Sequence, residues 1–222
     1  MKIASTQYQI DSLTTFETYA TKIETLIQQA KVEDAKILLL PEYAGLEVAL
    51  ADFDSDKKVF AEIQNHLDTY LTLFKKLAQQ YDIYLQPGTI LVKQDESYVN
   101  RAYFFSPNGT VGYQDKLQLT QFEKISKLLT TGQTQTIFET PFCKIGIAIC
   151  YDSEFPEIVR RLSFAGATLI LVPSYTTTLA GYYRVSLSAR ARAIENQCYV
   201  ATSFSIGQVI SGGDTEMTYG HA

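Results

Sequence analysis

Apolar and polar positions alternate along this chain with two periods, and the switches between them mark out its elements. Lys2 to Gln9 alternates with the two-residue period of a strand. Phe16, Tyr19, Ala20, Ile23, Leu26, Ile27 and Ala30 then recur at spacings of three and four, which puts them on one face of a helix. Ile37 to Leu40 is a short, wholly apolar run closed by Pro41, the pattern of a buried strand. Phe60, Ile63, Leu67, Tyr70, Leu71, Phe74 and Leu77 form a second helical stripe. Ile83 to Thr89 and Tyr98 to Phe105 read as strands. Ser106-Pro107-Asn108-Gly109 is a turn, and Val111 to Lys116 is the returning arm of a hairpin. Thr136 to Phe138 and Lys144 to Ile149 are strands around a Thr140-Pro141 turn. A helix is expected from about Pro156 to Gly166, with proline in its first turn and glycine past its end. Leu169 to Val172 is a further apolar strand, Tyr183 to Asn196 a helix and Tyr199 to Phe204 a last strand. Gly207 to Ala222 reads as a glycine-rich polar loop with no closing element.

Crossover helices mixed with hairpins predict an α/β layered fold with a mixed sheet. Repeats and low-complexity segments are absent, and residues 1–222 are read as a single domain. Apolar residues make up 46% of the chain, enough for a sizeable core. The formal charge of −5, with no basic run, gives no electrostatic basis for nucleic acid or an anionic membrane as partner. The apolar runs are too short to span a bilayer, and the first residues enter a strand rather than a signal-type apolar stretch. The expected setting is the cytoplasm, with Cys143, Cys150 and Cys198 as reduced thiols. The spacing of these cysteines and the two histidines, His66 and His221, matches no zinc pattern, so no metal is expected.

Chemistry then centres on Cys150. It follows the apolar run Ile145 to Ile149 and precedes a helix, so it stands at a strand's C-terminal end, where open α/β sheets form their crevices. A helix N-terminus close by would favour its thiolate. A free thiol has a pKa of about 8.5 and needs a base. His66 lies beside a helical stripe and His221 is penultimate, so the base is expected to be a carboxylate. Glu42, in Leu40-Pro41-Glu42 at the end of a buried strand, is the candidate, because desolvation raises a carboxyl pKa toward a useful range. Lys116 ends the hairpin strand, where it would stabilise an oxyanion. Glu123 follows a few residues later. Ser174 and Tyr175, in the segment after the strand ending at Val172, are candidate pocket residues. Each of these residues also has an ordinary reading as a core cysteine, a strand-end acid, a surface lysine or a loop hydroxyl.

Taken together, the residues resemble the carbon–nitrogen hydrolase superfamily, also called nitrilase-like, over essentially the whole chain. Glu42 in its Pro-Glu setting and Lys116 after a hairpin strand match the family's glutamate and lysine. The stretch Gly146-Ile147-Ala148-Ile149-Cys150-Tyr151-Asp152-Ser153-Glu154-Phe155-Pro156-Glu157 is similar to the family's nucleophile segment and is highly specific. Arg190 to Asn196 resembles another recurrent segment, and Phe122-Glu123 matches a second glutamate found in many members.

The resemblance implies a four-layer αββα sandwich, homodimers or larger homo-oligomers, and hydrolysis of a non-peptide carbon–nitrogen bond without metal or organic cofactor. Glu42 would be the base, Cys150 the nucleophile, and Lys116 with the Tyr151 N–H the oxyanion donors. Glu123 would orient Lys116 or the substrate. A small aliphatic amide is the expected substrate, with N-carbamoyl amines and nitriles as alternatives. Two departures stand out. Glu154 occupies the neighbourhood where an arginine is often found, which would suit a cationic amine group better than a carboxylate. The chain also stops several tens of residues before family members usually do, so its C-terminus is read as shortened. Three other classes compete. An isochorismatase-like hydrolase would want an aspartate where Gln7 and Gln9 stand. A dinucleotide-binding module would want a glycine-rich fingerprint after the first strand, and there is none. A non-catalytic member of the same fold would act by binding, although every catalytic position here is filled.

Overall fold

The structure is a computed structural model, and it describes residues 1–11, 15–49, 55–211 and 214–221. The elements run β1 (Lys2–Ser5), β2 (Gln7–Tyr8), α1 (Phe16–Val32), β3 (Ala35–Leu40), a 3₁₀ turn (Ala44–Ala49) and α2 (Asp56–Gln80). Then come β4 (Tyr84–Pro87), β5 (Ile90–Gln94), β6 (Ser97–Phe105), β7 (Val111–Asp115), α3 (Gln121–Ser126), β8 (Leu129–Thr130), β9 (Ile137–Glu139) and β10 (Lys144–Ile147). A second 3₁₀ turn (Cys150–Glu154) leads to α4 (Pro156–Phe164), β11 (Leu169–Ser174), α5 (Leu179–Asn196), β12 (Tyr199–Ser205), β13 (Gly207–Ser211) and β14 (Asp214–Thr218).

The first sheet has the order β1-β3-β4-β6-β5, with β7 and β8 also pairing with β6. The second has the order β2-β12-β11-β10-β9. The apolar run of β3 shows how the layers assemble. Leu38 and Leu40 join a core with α1 and α2, while Ile37 and Leu39 join a second core with β10 and β11. Strand β6 divides the same way, with Val99, Tyr103 and Phe105 on the helix side and Ala102 and Phe104 between the sheets. Both faces of β3 are therefore buried, and the strand is a near-continuous apolar run. Helices α4 and α5 cover the second sheet. The result is the expected αββα sandwich.

Three local readings differ. The strand-like run Lys2 to Gln9 is shared between the sheets: β1 pairs with β3, and β2 pairs with β12. Between them Thr6 donates its N–H to the Leu39 carbonyl at 3.1 Å, and its hydroxyl lies 3.1 Å from the Ser203 hydroxyl. Helix α5 starts at Leu179 rather than Tyr183, because Thr178 caps it by accepting from the Gly181 N–H at 3.0 Å. The stretch read as a C-terminal loop contains the antiparallel pair β13–β14, with Gly207 opposite Thr218. Residues 212, 213 and 222 lie outside the described residues. The pair is fastened beside the ends of β11 and β12. The Tyr219 N–H donates to the Thr176 carbonyl at 2.9 Å, and the Thr176 hydroxyl donates to the Tyr219 carbonyl at 2.6 Å.

Candidate active site

Strands β3, β10 and β11 run parallel within their sheets, and the residues just past their C-terminal ends meet in one crevice. Pro41 ends β3 and turns the chain so that Glu42 points inward, 1% exposed. The turn is tight. Tyr43 has a positive φ of 62°, and Gly88 (φ 74°) passes so close that a Cβ there would lie 1.8 Å from the Pro41 carbonyl oxygen. The Tyr43 N–H donates to the Thr89 hydroxyl at 2.8 Å, fixing the turn against the residues after β4. Cys150 also has a positive φ, 45°, which is uncommon for a residue with a side chain and is held here by its surroundings.

Lys116 stands at the end of β7, 1% exposed, between two carboxylates. Its Nζ is 2.7 Å from Glu42 Oε1 and 2.8 and 2.9 Å from the two oxygens of Glu123. Glu42 Oε1 also accepts from Asn100 Nδ2 at 2.9 Å, and its Oε2 accepts from the Tyr175 N–H at 3.2 Å. Glu123 is held from behind. Its Oε2 accepts from the Thr120 N–H at 2.7 Å and hydroxyl at 2.9 Å, and its Oε1 accepts from the Tyr43 hydroxyl at 2.6 Å. The Cys150 thiol approaches the Tyr175 carbonyl oxygen at 3.6 Å, and the Tyr175 N–H in turn donates to Glu42.

The electrostatics separate the two acids. Burial raises the Glu42 carboxyl and outweighs the pull of Lys116, so its pKa lies above the usual carboxylate range. Burial acts on Glu123 too, but there Lys116, Tyr43 and the Thr120 N–H prevail and hold it below that range. Lys116 would be lowered by burial, yet Glu42 and Glu123 together hold it above its ordinary value, firmly charged. The two acids are thus pushed in opposite directions, Glu42 toward holding a proton and Glu123 toward staying ionised beside the lysine. Burial, then Glu42, push the Cys150 thiol well up. This corrects the expectation of a helix-stabilised thiolate. Cys150 opens a 3₁₀ turn that precedes α4, whose first residue is Pro156, and burial favours the neutral thiol there.

A cavity of about 240 Å³ opens onto Cys150. Tyr151, Glu154 and Tyr175 line it together with Glu42, Lys116 and Glu123. Glu154 Oε2 pairs with Arg184 Nε at 3.3 Å, so α5 brings an arginine into the wall beside the acid. Ser174 is not among the lining residues. It is fully buried, and its hydroxyl donates to the Val172 carbonyl at 3.3 Å. His66 lies elsewhere, on α2 beside Glu62. Asn100, Tyr43, Asp152, Arg184 and Glu216 were not anticipated. Glu216, on β14, accepts from the Tyr175 hydroxyl at 3.0 Å and lines the cavity. Among the described residues no group of His, Cys, Asp and Glu side chains is arranged to hold a metal ion, and no helix is long and apolar enough to cross a membrane.

A protonated thiol with a carboxylate base, and a buried cation beside both, are the parts needed for acyl transfer through a thioester. On an αββα sandwich, that arrangement can support thiol-dependent hydrolysis. Comparison with known proteins identifies the family. The family model for carbon-nitrogen hydrolases matches residues 2–221, and the chain belongs to that family. It is 30% identical to the probable hydrolase YhcX of Bacillus subtilis, over 99% of this chain and 43% of the relative. It is 31% identical to the omega-amidase NIT2-B of Xenopus laevis, over 80% of this chain and 65% of that one. The chain thus spans about half to two thirds of the length of these curated relatives. Among solved structures, the C. elegans NitFhit protein superposes with a TM-score of 0.83 at 24% identity, covering 99% of this chain and 54% of that one. Yeast Nit3, from Saccharomyces cerevisiae, superposes at 0.78 with 26% identity, covering 99% and 79%.

Proposed function

We propose that the protein hydrolyses a small aliphatic amide through a thioester on Cys150. The observation that supports this reading is that three buried groups, Glu42, Lys116 and Cys150, line one cavity, with Glu42 2.7 Å from Lys116. Glu42 takes the thiol proton as Sγ attacks the amide carbon. Lys116, with the Tyr151 N–H, stabilises the oxyanion of the tetrahedral intermediate. Glu42 returns the proton to the departing nitrogen, the carbon–nitrogen bond breaks, and a thioester remains. Water then gives a proton to Glu42 and attacks the thioester carbon. The carbon–sulfur bond breaks and Glu42 reprotonates the thiol. A resting thiol held neutral suits this sequence, because deprotonation is coupled to attack and needs a base already in contact. Glu123 keeps Lys116 in place throughout. No metal or organic cofactor enters any step.

The proposed substrate is a small molecule, in keeping with the size of the cavity. The protein is further proposed to act as a homodimer or larger homo-oligomer. Leu179, Tyr183, Leu187 and Ile194 are exposed along α5, and Tyr199 follows them, an apolar face that a second copy would cover.

Intact-protein mass spectrometry after brief exposure to a panel of small amides, carbamoyl amines and nitriles tests the reaction, with Cys150→Ala as control. A mass increment that needs Cys150 is expected, and its size reports the acyl group. No increment with any compound overturns the reading.

A further inference from the structure

The catalytic groups come from two different sheets. Glu42 and Lys116 end strands of the first, and Cys150 follows a strand of the second. Their spacing therefore depends on how the two sheets are registered at this end of the sandwich. Asp152, in the turn that carries Cys150, is 1% exposed and reaches across. Its Oδ1 accepts from the Gln118 N–H at 2.7 Å and the Leu117 N–H at 3.1 Å. Its Oδ2 accepts from the Leu117 N–H at 3.2 Å and the Ile149 N–H at 3.2 Å. Leu117 and Gln118 are the two residues immediately after Lys116, and Ile149 is the residue immediately before Cys150.

We infer that Asp152 is a positioning residue that locks the Lys116 loop to the Cys150 turn, and so sets the distance between the oxyanion donor and the nucleophile. This rests on the role given above to Lys116. Three backbone N–H groups in this region have no secondary-structure partner of the usual kind, and one carboxylate serves all three. Only a carboxylate has two acceptor oxygens and no donor to set against them. An asparagine offers one oxygen and turns an NH2 group toward an N–H. Burial pushes the Asp152 carboxyl up to about 7, although Lys116 and the three N–H groups pull the other way. Such a group is costly to keep in the interior, and here it joins the two halves of the site.

The test uses Asp152→Asn, Lys116→Met and the double variant, with two readouts. The first is steady-state kinetics: Asp152→Asn is expected to lower kcat at least about tenfold while KM changes by less than about threefold, because the substrate contacts remain. The second is the pH midpoint for alkylation of Cys150, followed on the Cys150 peptide. Lys116 lowers the thiol's pKa by its charge, so displacing it should move the midpoint to higher pH. Both single variants are expected to shift the midpoint upward. The double variant should match Lys116→Met, because Asp152 acts through the lysine. Additive shifts would mean that Asp152 acts on Cys150 directly, and a lowered Tm with kcat and midpoint unchanged would reduce it to a structural role; either result overturns the inference. Should Asp152→Asn fail to fold, hydrogen exchange on the unaltered protein decides. The Leu117 and Gln118 amides are expected to be as protected as those of β7, and exchange at loop rates would refute the lock. If no compound acylates the unaltered enzyme, the amidase reading fails while the midpoint shifts still test the positioning claim.

Discussion

Replacing Lys116 by methionine separates two things the lysine does. Methionine keeps the apolar stem but removes the charge from between two carboxylates whose side chains are 2% and 4% exposed. The lysine's Nζ lies within 2.9 Å of three of their oxygens. Deleting one partner of a buried ion pair leaves a charge uncompensated and typically costs about 3–5 kcal/mol. The protein's escape is to protonate one of the acids. Its folded pKa then lies above the unfolded value of about 4.3, and each unit of difference is worth about 1.4 kcal/mol. A raised carboxyl pKa costs nothing below the unfolded pKa, and the penalty grows as pH rises toward the folded one. Urea unfolding of Lys116→Met should therefore show a loss of about 3–4 kcal/mol at pH 7.5 and only about 1 kcal/mol at pH 5, relative to the unaltered protein at each pH. Turnover should fall at least about a hundredfold, the scale of losing one oxyanion donor. A penalty equal at the two pH values, or below about 1 kcal/mol at pH 7.5, would refute the claim that Lys116 is the buried counter-ion of both acids.

Three further outcomes follow from the geometry. Gly88→Ala puts a Cβ 1.8 Å from the Pro41 carbonyl oxygen at a positive φ, so thermal unfolding should report a loss of at least about 2 kcal/mol, with kcat reduced because the turn carrying Glu42 must shift. Glu123→Gln removes the ionised anchor of Lys116, and kcat is expected to fall about tenfold or more, on the scale of a supporting charge-assisted contact; unchanged turnover would show that Glu42 alone holds the lysine. His66→Ala should leave turnover within about twofold, since the histidine lies on α2 away from the cavity and surface changes of this kind are usually small. A large loss would mean that the base has been misassigned.

Part of this site is legible from residue order because Glu42 and Cys150 each sit at the end of an apolar run, while Lys116 is marked by the hairpin strand that it ends. Leu38-Leu39-Leu40 is buried on both faces, so Pro41-Glu42 had to fall at the rim of the sandwich, and Ile145 to Ile149 places Cys150 in the same way. What could not be read this way are residues whose roles come from contacts across the two sheets. Asn100 lies within a strand of ordinary alternation, and only the fold puts its amide 2.9 Å from Glu42. Asp152 belongs to the most specific segment of the chain, yet two of its three partners are 34 and 35 residues away. Two other misses did leave local signals. Thr120-Gln121-Phe122-Glu123 is a capping box, and it marks the start of α3 while aiming Glu123 at Lys116. Gly212-Gly213 between two short runs is the mark of a hairpin.

The hairpin matters beyond its place in the element list, because it changes what the end of the described chain does. Read as a loop, Gly207 onward contributes nothing to the cavity. As β13–β14 it brings Glu216 to the Tyr175 hydroxyl, and Tyr175 in turn donates its N–H to Glu42. The Tyr175 ring packs edge-on against Tyr43, at 5.6 Å between centroids, and Tyr43 donates to Glu123. A chain of contacts therefore runs from the C-terminal pair through two tyrosines to both acids that hold Lys116. A segment with a weak apolar pattern is thereby joined to the buried charges around Lys116.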